Sequence, residues 1–368
     1  MMRRFRSLML AAAAAVLLAA CGLSQAPAPA AEEAMTAPTE SAQPLESKAP
    51  ELTPEPTSEP TPEPTPEPTP EPTPIPLRQP DLCDTIIEQD LFFVPATQQG
   101  TVERVPYVTR DYITGTSTEY EKTLSVYLPY GYDGTEAYDV LFLLHTSGAN
   151  EKFWLESEHS YQVPDGELWY VWLTNLLDNM IQQGYCKPMI VVAPWGYLDE
   201  YGPVQHNSAR DYGTFTIEFR RDILPLVAER YHTFAADGSE QALIAAREHF
   251  GVLGASYGAY MAEISIMAPS LDLVSWYALV GGGSVSREYL EPEWSRNGLS
   301  QYPVSLLYFI EGTYDDRQPV ELSYMNLGWW EERFTPEENL RLTMVERCAH
   351  EERAWINGLY NAAQLFFR

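Results

Sequence analysis

The sequence predicts an α/β domain over residues 81–368, with a mostly parallel central sheet and helices on both faces. Three observations carry that expectation. Short, continuously apolar runs recur along the chain, as strands buried on both faces do. Stretches of helical spacing separate them. Small and polar residues follow each run, where such a sheet places its ligand-binding edge.

In chain order, "LSVYLPYGY" from Leu124 alternates apolar and polar residues and reads as a strand entering a turn. "YDVLFLLHTSG" (Tyr138–Gly148) is a buried strand. "LWYVWLTNLLDNMIQQGY" (Leu168–Tyr185) has helical spacing, and "PMIVVAPW" (Pro188–Trp195) is a second buried strand. "TFTIEFRRDILPLVAERY" (Thr214–Tyr231) is an amphipathic helix that Pro225 is expected to bend or interrupt. "HFGVLGAS" is a third buried strand and "YGAYMAEISIMA" a helix. "LVSWYALVGGGS", "VSLLYFIEGTYDD" and "RLTMVERCAH" add three strands, and "EERAWINGLYNAAQLFF" closes the domain as a helix.

The first 80 residues read differently. Residues 1–20 start with Arg3, Arg4 and Arg6 and continue as the apolar run Leu8–Ala20, an export signal too short to span a bilayer. The run ends in Leu18-Ala19-Ala20-Cys21-Gly22, which resembles a bacterial lipoprotein box with Cys21 as the lipidated residue. Residues 21–80 are a linker of Ala, Pro, Glu, Thr and Ser, with the repeat "TPEPTSEPTPEPTPEPTPEPTP" at its centre. That composition buries too little to order itself. Dense proline favours polyproline II at ~3.1 Å per residue, so ~30 residues reach ~90 Å. The expectation is a stalk holding the domain on the outer face of a membrane, at the cell surface.

The chain of 368 residues carries a formal charge of −29. No basic patch accompanies it, so nucleic acid is not an expected partner. Besides Cys21 there are Cys83, Cys186 and Cys348, an odd number with no zinc-type spacing; one disulfide is compatible with export.

"GVLGASYGAYM" contains Gly254-x-Ser256-x-Gly258 between an apolar run and a helical one. Strand, sharp turn, helix is the context a serine nucleophile requires, because the turn lifts the hydroxyl out of the sheet. A base and an orienting acid must accompany it. His350 is the one histidine after Ser256, and it follows a strand. Asp315 and Asp316 both lie just past a strand between the two, with Asp315 favoured, whereas Asp272 precedes its strand and faces the wrong end. The order Ser, Asp, His follows. The oxyanion hole falls to the backbone N–H of Tyr257 and of Thr146 or Ser147. His145 reads as a brace for that loop. Trp154, Trp195, Tyr257, Trp329 and Trp330 are candidate pocket walls, with Trp154 and Trp195 as substrate contacts. His206 in "GPVQHNSARDYG" is a further candidate contact.

These motifs resemble the esterase D / feruloyl esterase-like branch of the α/β-hydrolases, which includes family 1 carbohydrate esterases. The resemblance runs from about Thr123 to Arg368. It rests on "LSVYLPYGYD", "VLFLLHTSGANEKFW", "GASYGAYMA", "EGTYDD" and "CAHEERAWINGLYNAAQLFF". It supports Asp315 as acid and His350 as base. It implies ester hydrolysis through an acyl-serine, without metal or cofactor, on a substrate such as an acetylated or feruloylated plant polysaccharide. Three positions depart from the pattern: Thr146 in place of glycine, Tyr257 in place of methionine, and Cys348-Ala349 in place of Gly-Gly. Two rival readings share the site: an acyltransferase, and a non-catalytic carbohydrate- or surface-binding protein on an esterase scaffold.

Overall fold

The computed structural model describes residues 76–115, 118–198, 208–316 and 320–368. The expected signal (1–20), Cys21, the linker up to residue 75 and His206 lie outside the described residues.

The elements run α1 (Asp90–Phe93), β1 (Thr101–Arg110), β2 (Glu119–Leu128), β3 (Asp139–Leu144), β4 (His159–Gln162), β5 (Leu168–Val171), α2 (Leu173–Gln182) and β6 (Met189–Ala193). They continue with α3 (Ser208–Glu218), α4 (Leu224–Arg230), α5 (Glu240–Ala245), β7 (Phe250–Ala255), α6 (Tyr257–Met261) and β8 (Trp276–Val280). The last are α7 (Arg287–Arg296), β9 (Leu306–Gly312), α8 (Val320–Gly328), β10 (Leu340–Val345) and α9 (Glu352–Leu365).

Eight strands form one sheet in the order β1-β2-β6-β3-β7-β8-β9-β10. β1, β2 and β6 pair antiparallel, and every pairing from β6 to β10 is parallel. The expected α/β architecture is the one observed. All six residues of β3 and of β7 are buried, because helices cover both faces. Alternation then divides each strand between two cores. Val140, Phe142, Phe250 and Val252 pack with α3, α4 and α6 on one face. Leu141, Leu143, Leu253 and Ala255 pack with α2 and α9 on the other. On the first face Phe142 meets Phe219 edge-on at 5.0 Å.

The helix expected over Leu168–Tyr185 is only partly helical. Leu168–Val171 pairs antiparallel with His159–Gln162, and Trp169 stacks on Tyr161 at 5.7 Å. The β-forming "LWYVW" follows its cross-strand partner, and the helix starts at Leu173. At Pro225 the α-helix is interrupted as expected, although the chain stays helical. A π turn over Phe219–Ile223 precedes α4, and Pro225 falls in the first turn of α4. The widened turn accommodates a residue that cannot donate an N–H. Strand β1, the β4–β5 hairpin, α7 and α8 were not anticipated from the sequence.

Residues 81–85 run along α9. Asn361 Oδ1 accepts from the Cys83 N–H at 2.7 Å, Gln364 Oε1 from the Asp81 N–H at 2.9 Å, and Asn357 Nδ2 donates to the Thr85 carbonyl at 3.3 Å. This accounts for three fully buried amides on α9. Cys83, Cys186 and Cys348 are free thiols.

One buried ion pair anchors the antiparallel edge. Lys122 Nζ donates to Glu218 Oε1 at 2.6 Å, and the Tyr107 hydroxyl donates to the same oxygen at 2.5 Å. Burial pushes the Glu218 carboxyl up while Lys122 pulls it down. Lys122→Met leaves that carboxylate without its counter-charge, and a loss of about 3 kcal/mol is expected. Denaturant unfolding checks this, with Lys122→Met/Glu218→Gln expected to recover at least half of the loss. No recovery in the double variant would show that the pair is not the cause.

Candidate active site

The carboxyl ends of β3, β6, β7, β8, β9 and β10 lie along one edge of the sheet, as parallel pairing requires. Ser256 follows β7, Asp315 follows β9 and His350 follows β10.

Ser256 adopts φ 54° and ψ −113°, a strained conformation for a residue with a side chain. The turn that imposes it depends on two glycines. A Cβ on Gly254 would lie 2.0 Å from the Gly258 carbonyl oxygen, and one on Gly258 would lie 2.3 Å from that of Leu144. Gly258 thereby brings the start of α6 into contact with the loop after β3. The Tyr257 N–H opens α6, and Gly258 after it packs on the Leu144 and His145 carbonyls.

Asp315 and His350, the candidate acid and base, are placed by two zipped loops. Thr313 N–H donates to Val345 O at 3.0 Å, Tyr314 N–H to Cys348 O at 2.8 Å, and Arg347 N–H to Thr313 Oγ1 at 2.8 Å. A turn from Gly312 O to the Asp315 N–H, at 2.9 Å, follows. His350 Nδ1 is 2.6 Å from Asp315 Oδ2, and Nε2 is 2.8 Å from Ser256 Oγ. With Asp315 accepting from Nδ1–H, Nε2 holds the lone pair that accepts the Ser256 hydroxyl. The Asp315 side chain is 1% exposed and that of His350 12%. Asp316 is exposed. The edge of Trp355 packs on the His350 ring at 6.0 Å. Glu311, in β9 four residues before Asp315, is pushed up to about 8 chiefly by burial.

His145 is fully enclosed behind the loop after β3. Its Nδ1 donates to Thr146 O at 2.8 Å, and its Nε2 accepts from the Gly196 N–H at 2.9 Å. Tyr197 adds a second brace: its hydroxyl accepts from the Gly148 N–H at 3.2 Å, and its ring stacks on Tyr257 at 5.1 Å. Tyr257 in turn stacks on Tyr212 at 5.4 Å. The sequence reading missed Gly196 and Tyr197; their only local signal is their position just past a buried strand.

Burial pushes the His145 imidazole down to about 4. An unfolded histidine titrates near 6.5. As pH falls below about 6.5 the unfolded chain takes up a proton that the folded chain refuses, so stability is lost between pH 6.5 and 4. The shift corresponds to about 3 kcal/mol across that window. Thermal unfolding from pH 7 to 4.5 should therefore fall more steeply for the wild type than for His145→Gln. Parallel curves would contradict a neutral, buried His145.

Of the aromatic pocket candidates, Trp195 is half-buried and lines a cleft beside the loop after β3. Trp154 does not wall a pocket: it is 1% exposed and packs against Phe153 and His159 within the core. Trp330 is also core, stacked on Trp294 at 5.6 Å. Trp329 is 74% exposed.

No family model matches the chain. It is 30% identical over 193 residues to "Endo-1,4-beta-xylanase Y" of Acetivibrio thermocellus, covering 52% of this chain and 15% of that protein. It is 30% identical over 260 residues to "Endo-1,4-beta-xylanase/feruloyl esterase" of Xylanibacter ruminicola, covering 68% and 30% respectively. The chain thus spans less than a third of either relative's length. Among solved structures, the feruloyl esterase module from Clostridium thermocellum in complex with sinapinate superposes with a TM-score of 0.61 at 21% identity, covering 80% of this chain and 96% of that one. A ferulic acid esterase from the anaerobic fungus Anaeromyces mucronatus gives 0.58 at 20%, covering 78% and 98%. The likeness to these solved structures and the mostly parallel eight-stranded sheet show that the domain has the α/β-hydrolase fold.

Proposed function

We propose that the protein is a serine esterase that hydrolyses carboxylic esters, with feruloyl and related acyl groups on plant polysaccharide as its substrate class. The observation that carries this is the hydrogen-bonded chain Ser256 Oγ–His350 Nε2, His350 Nδ1–Asp315 Oδ2, set on a strained elbow. The similarity to a xylanase and to a xylanase/feruloyl esterase supports the acyl group and the xylan context.

In this reading His350 takes the Ser256 proton as the serine attacks the ester carbonyl. The oxyanion forms between the Tyr257 N–H and the Thr146 or Ser147 N–H, at the positive end of α6. His350 then protonates the leaving alcohol, and water resolves the acyl-serine by the same route in reverse. Asp315 holds the imidazole tautomer and stabilises its charged form. The signal and Cys21 would place the domain outside the cytoplasm on a lipid anchor, with the proline-rich linker as its spacer.

A fluorophosphonate probe tests the reading. An adduct mapped to Ser256, absent from Ser256→Ala, together with ferulate release from methyl ferulate, is expected. A folded protein that takes no adduct and releases no acid would overturn it in favour of a binding protein. Acyl transfer to an added alcohol in preference to water would make it a transferase.

A further inference from the structure

A cleft of about 430 Å³ opens beside the oxyanion loop. Ser256 and His350 do not line it. In the sheet it lies toward β6 and β2, on the opposite side of the nucleophile strand β7 from the acid and base strands β9 and β10. Its lining includes Glu121 and Thr123 of β2, Asn150 and Glu151 past the oxyanion loop, and Trp195 and Tyr197 past β6. Gly148 and Ala149 also line it, so it begins within two residues of Ser147.

The chemistry of these walls selects one kind of occupant. A half-buried indole offers an apolar face, and two carboxylates, an amide and a hydroxyl offer hydrogen bonds. Glu151 is held in place by Arg104 at 2.7 Å. Lys122, the one cation among the described lining residues, is paired with Glu218 at 2.6 Å with its side chain 0% exposed, and its ammonium lies 5.9 Å from the Trp195 ring. An anionic ligand would meet carboxylates, and the two cations beside them, Lys122 and Arg104, are already engaged by Glu218 and by Glu151 and Glu156. A neutral polyol matches both the flat apolar surface and the acceptors.

We propose that this cleft binds neutral sugar residues on the alcohol side of the ester, with Trp195 as the stacking platform and Glu121 as a hydroxyl acceptor. The sugar would leave with the proton that His350 delivers. This assignment rests on the esterase reading above. It makes the oxyanion loop the wall shared by the reacting carbonyl on one side and the polysaccharide on the other.

The full chain is assayed on methyl ferulate and on a feruloylated arabinoxylan oligosaccharide. Trp195→Ala should lower the oligosaccharide-to-methyl ratio of kcat/KM about tenfold, mostly through KM. Glu121→Leu, at an exposed position that does not threaten folding, should lower it severalfold. In parallel, Ser256→Ala protein should bind the unesterified oligosaccharide in a fluorescence titration, and adding Trp195→Ala should remove that binding. An unchanged ratio, or equal loss on both esters, overturns the cleft as a sugar site. If the wild type hydrolyses neither ester, the esterase reading fails, while the titration still decides the cleft.

Discussion

Replacing Ser256 with alanine should reduce turnover of methyl ferulate by about a million-fold while circular dichroism and Tm stay within error of the wild type. His350→Ala should cost about as much, and the double variant hardly more, because the two act as one unit. Asp315→Asn should cost about 10⁴-fold: the amide presents its N–H to the imidazole, favours the wrong tautomer and withdraws the charge that stabilises the protonated ring. Asp316→Asn should stay within about twofold, because Asp316 is exposed and only Asp315 lies 2.6 Å from His350. Reversed effects for the two aspartates would reassign the acid. A Ser256→Ala protein that keeps its activity would remove the nucleophile altogether.

Gly254→Ala is the second large expected effect, and it acts on the backbone. The new Cβ would lie 2.0 Å from Gly258 O, 2.3 Å from Gly258 C and 2.7 Å from Ala259 N. No side chain can rotate to relieve those contacts, so the elbow must open. A loss of about 4 kcal/mol or more is expected, equivalent to roughly 10 °C in Tm for a domain of this size, along with most of the activity. Gly328→Ala is the control. There the nearest atom is Pro336 Cγ at 3.6 Å, an ordinary contact, and the Tm should move by no more than about 2 °C. A Gly254→Ala protein with wild-type Tm and turnover would contradict the elbow packing.

The functional elements that could be read from the sequence are those whose cause is local. Strands buried on both faces are continuously apolar, so β3, β6, β7 and β9 were visible as runs. The elbow is a contiguous strand–Gly-x-Ser-x-Gly–helix segment, so Ser256 was visible as well. His350 followed because it is the one histidine after the nucleophile and lies past a strand.

Other features depend on partners far away in the chain. Whether Trp154 and Trp330 face substrate or core is decided by what packs over them, His159 and Trp294, and helical or strand spacing carries no record of that. Leu168–Val171 is a strand because His159–Gln162 lies alongside it. Lys122 meets Glu218, 96 positions away, only once β2 and the helix after β6 are assembled. Gly196 braces His145 for the same reason, through the adjacency of β6 and β3.

The choice between Asp315 and Asp316 shows where the boundary falls. The sequence places both just past β9, and the zipped loops at Thr313–Val345 and Tyr314–Cys348 set which carboxylate meets the imidazole. By itself the sequence determined the α/β class, the sheet edge on which the candidate site lies, and which serine and histidine are proposed as nucleophile and base, because periodicity and turn chemistry act between near neighbours. The tertiary structure alone decided the geometry of the acid, the brace behind the oxyanion loop and the walls of the cleft, because each requires strands distant in sequence to lie side by side.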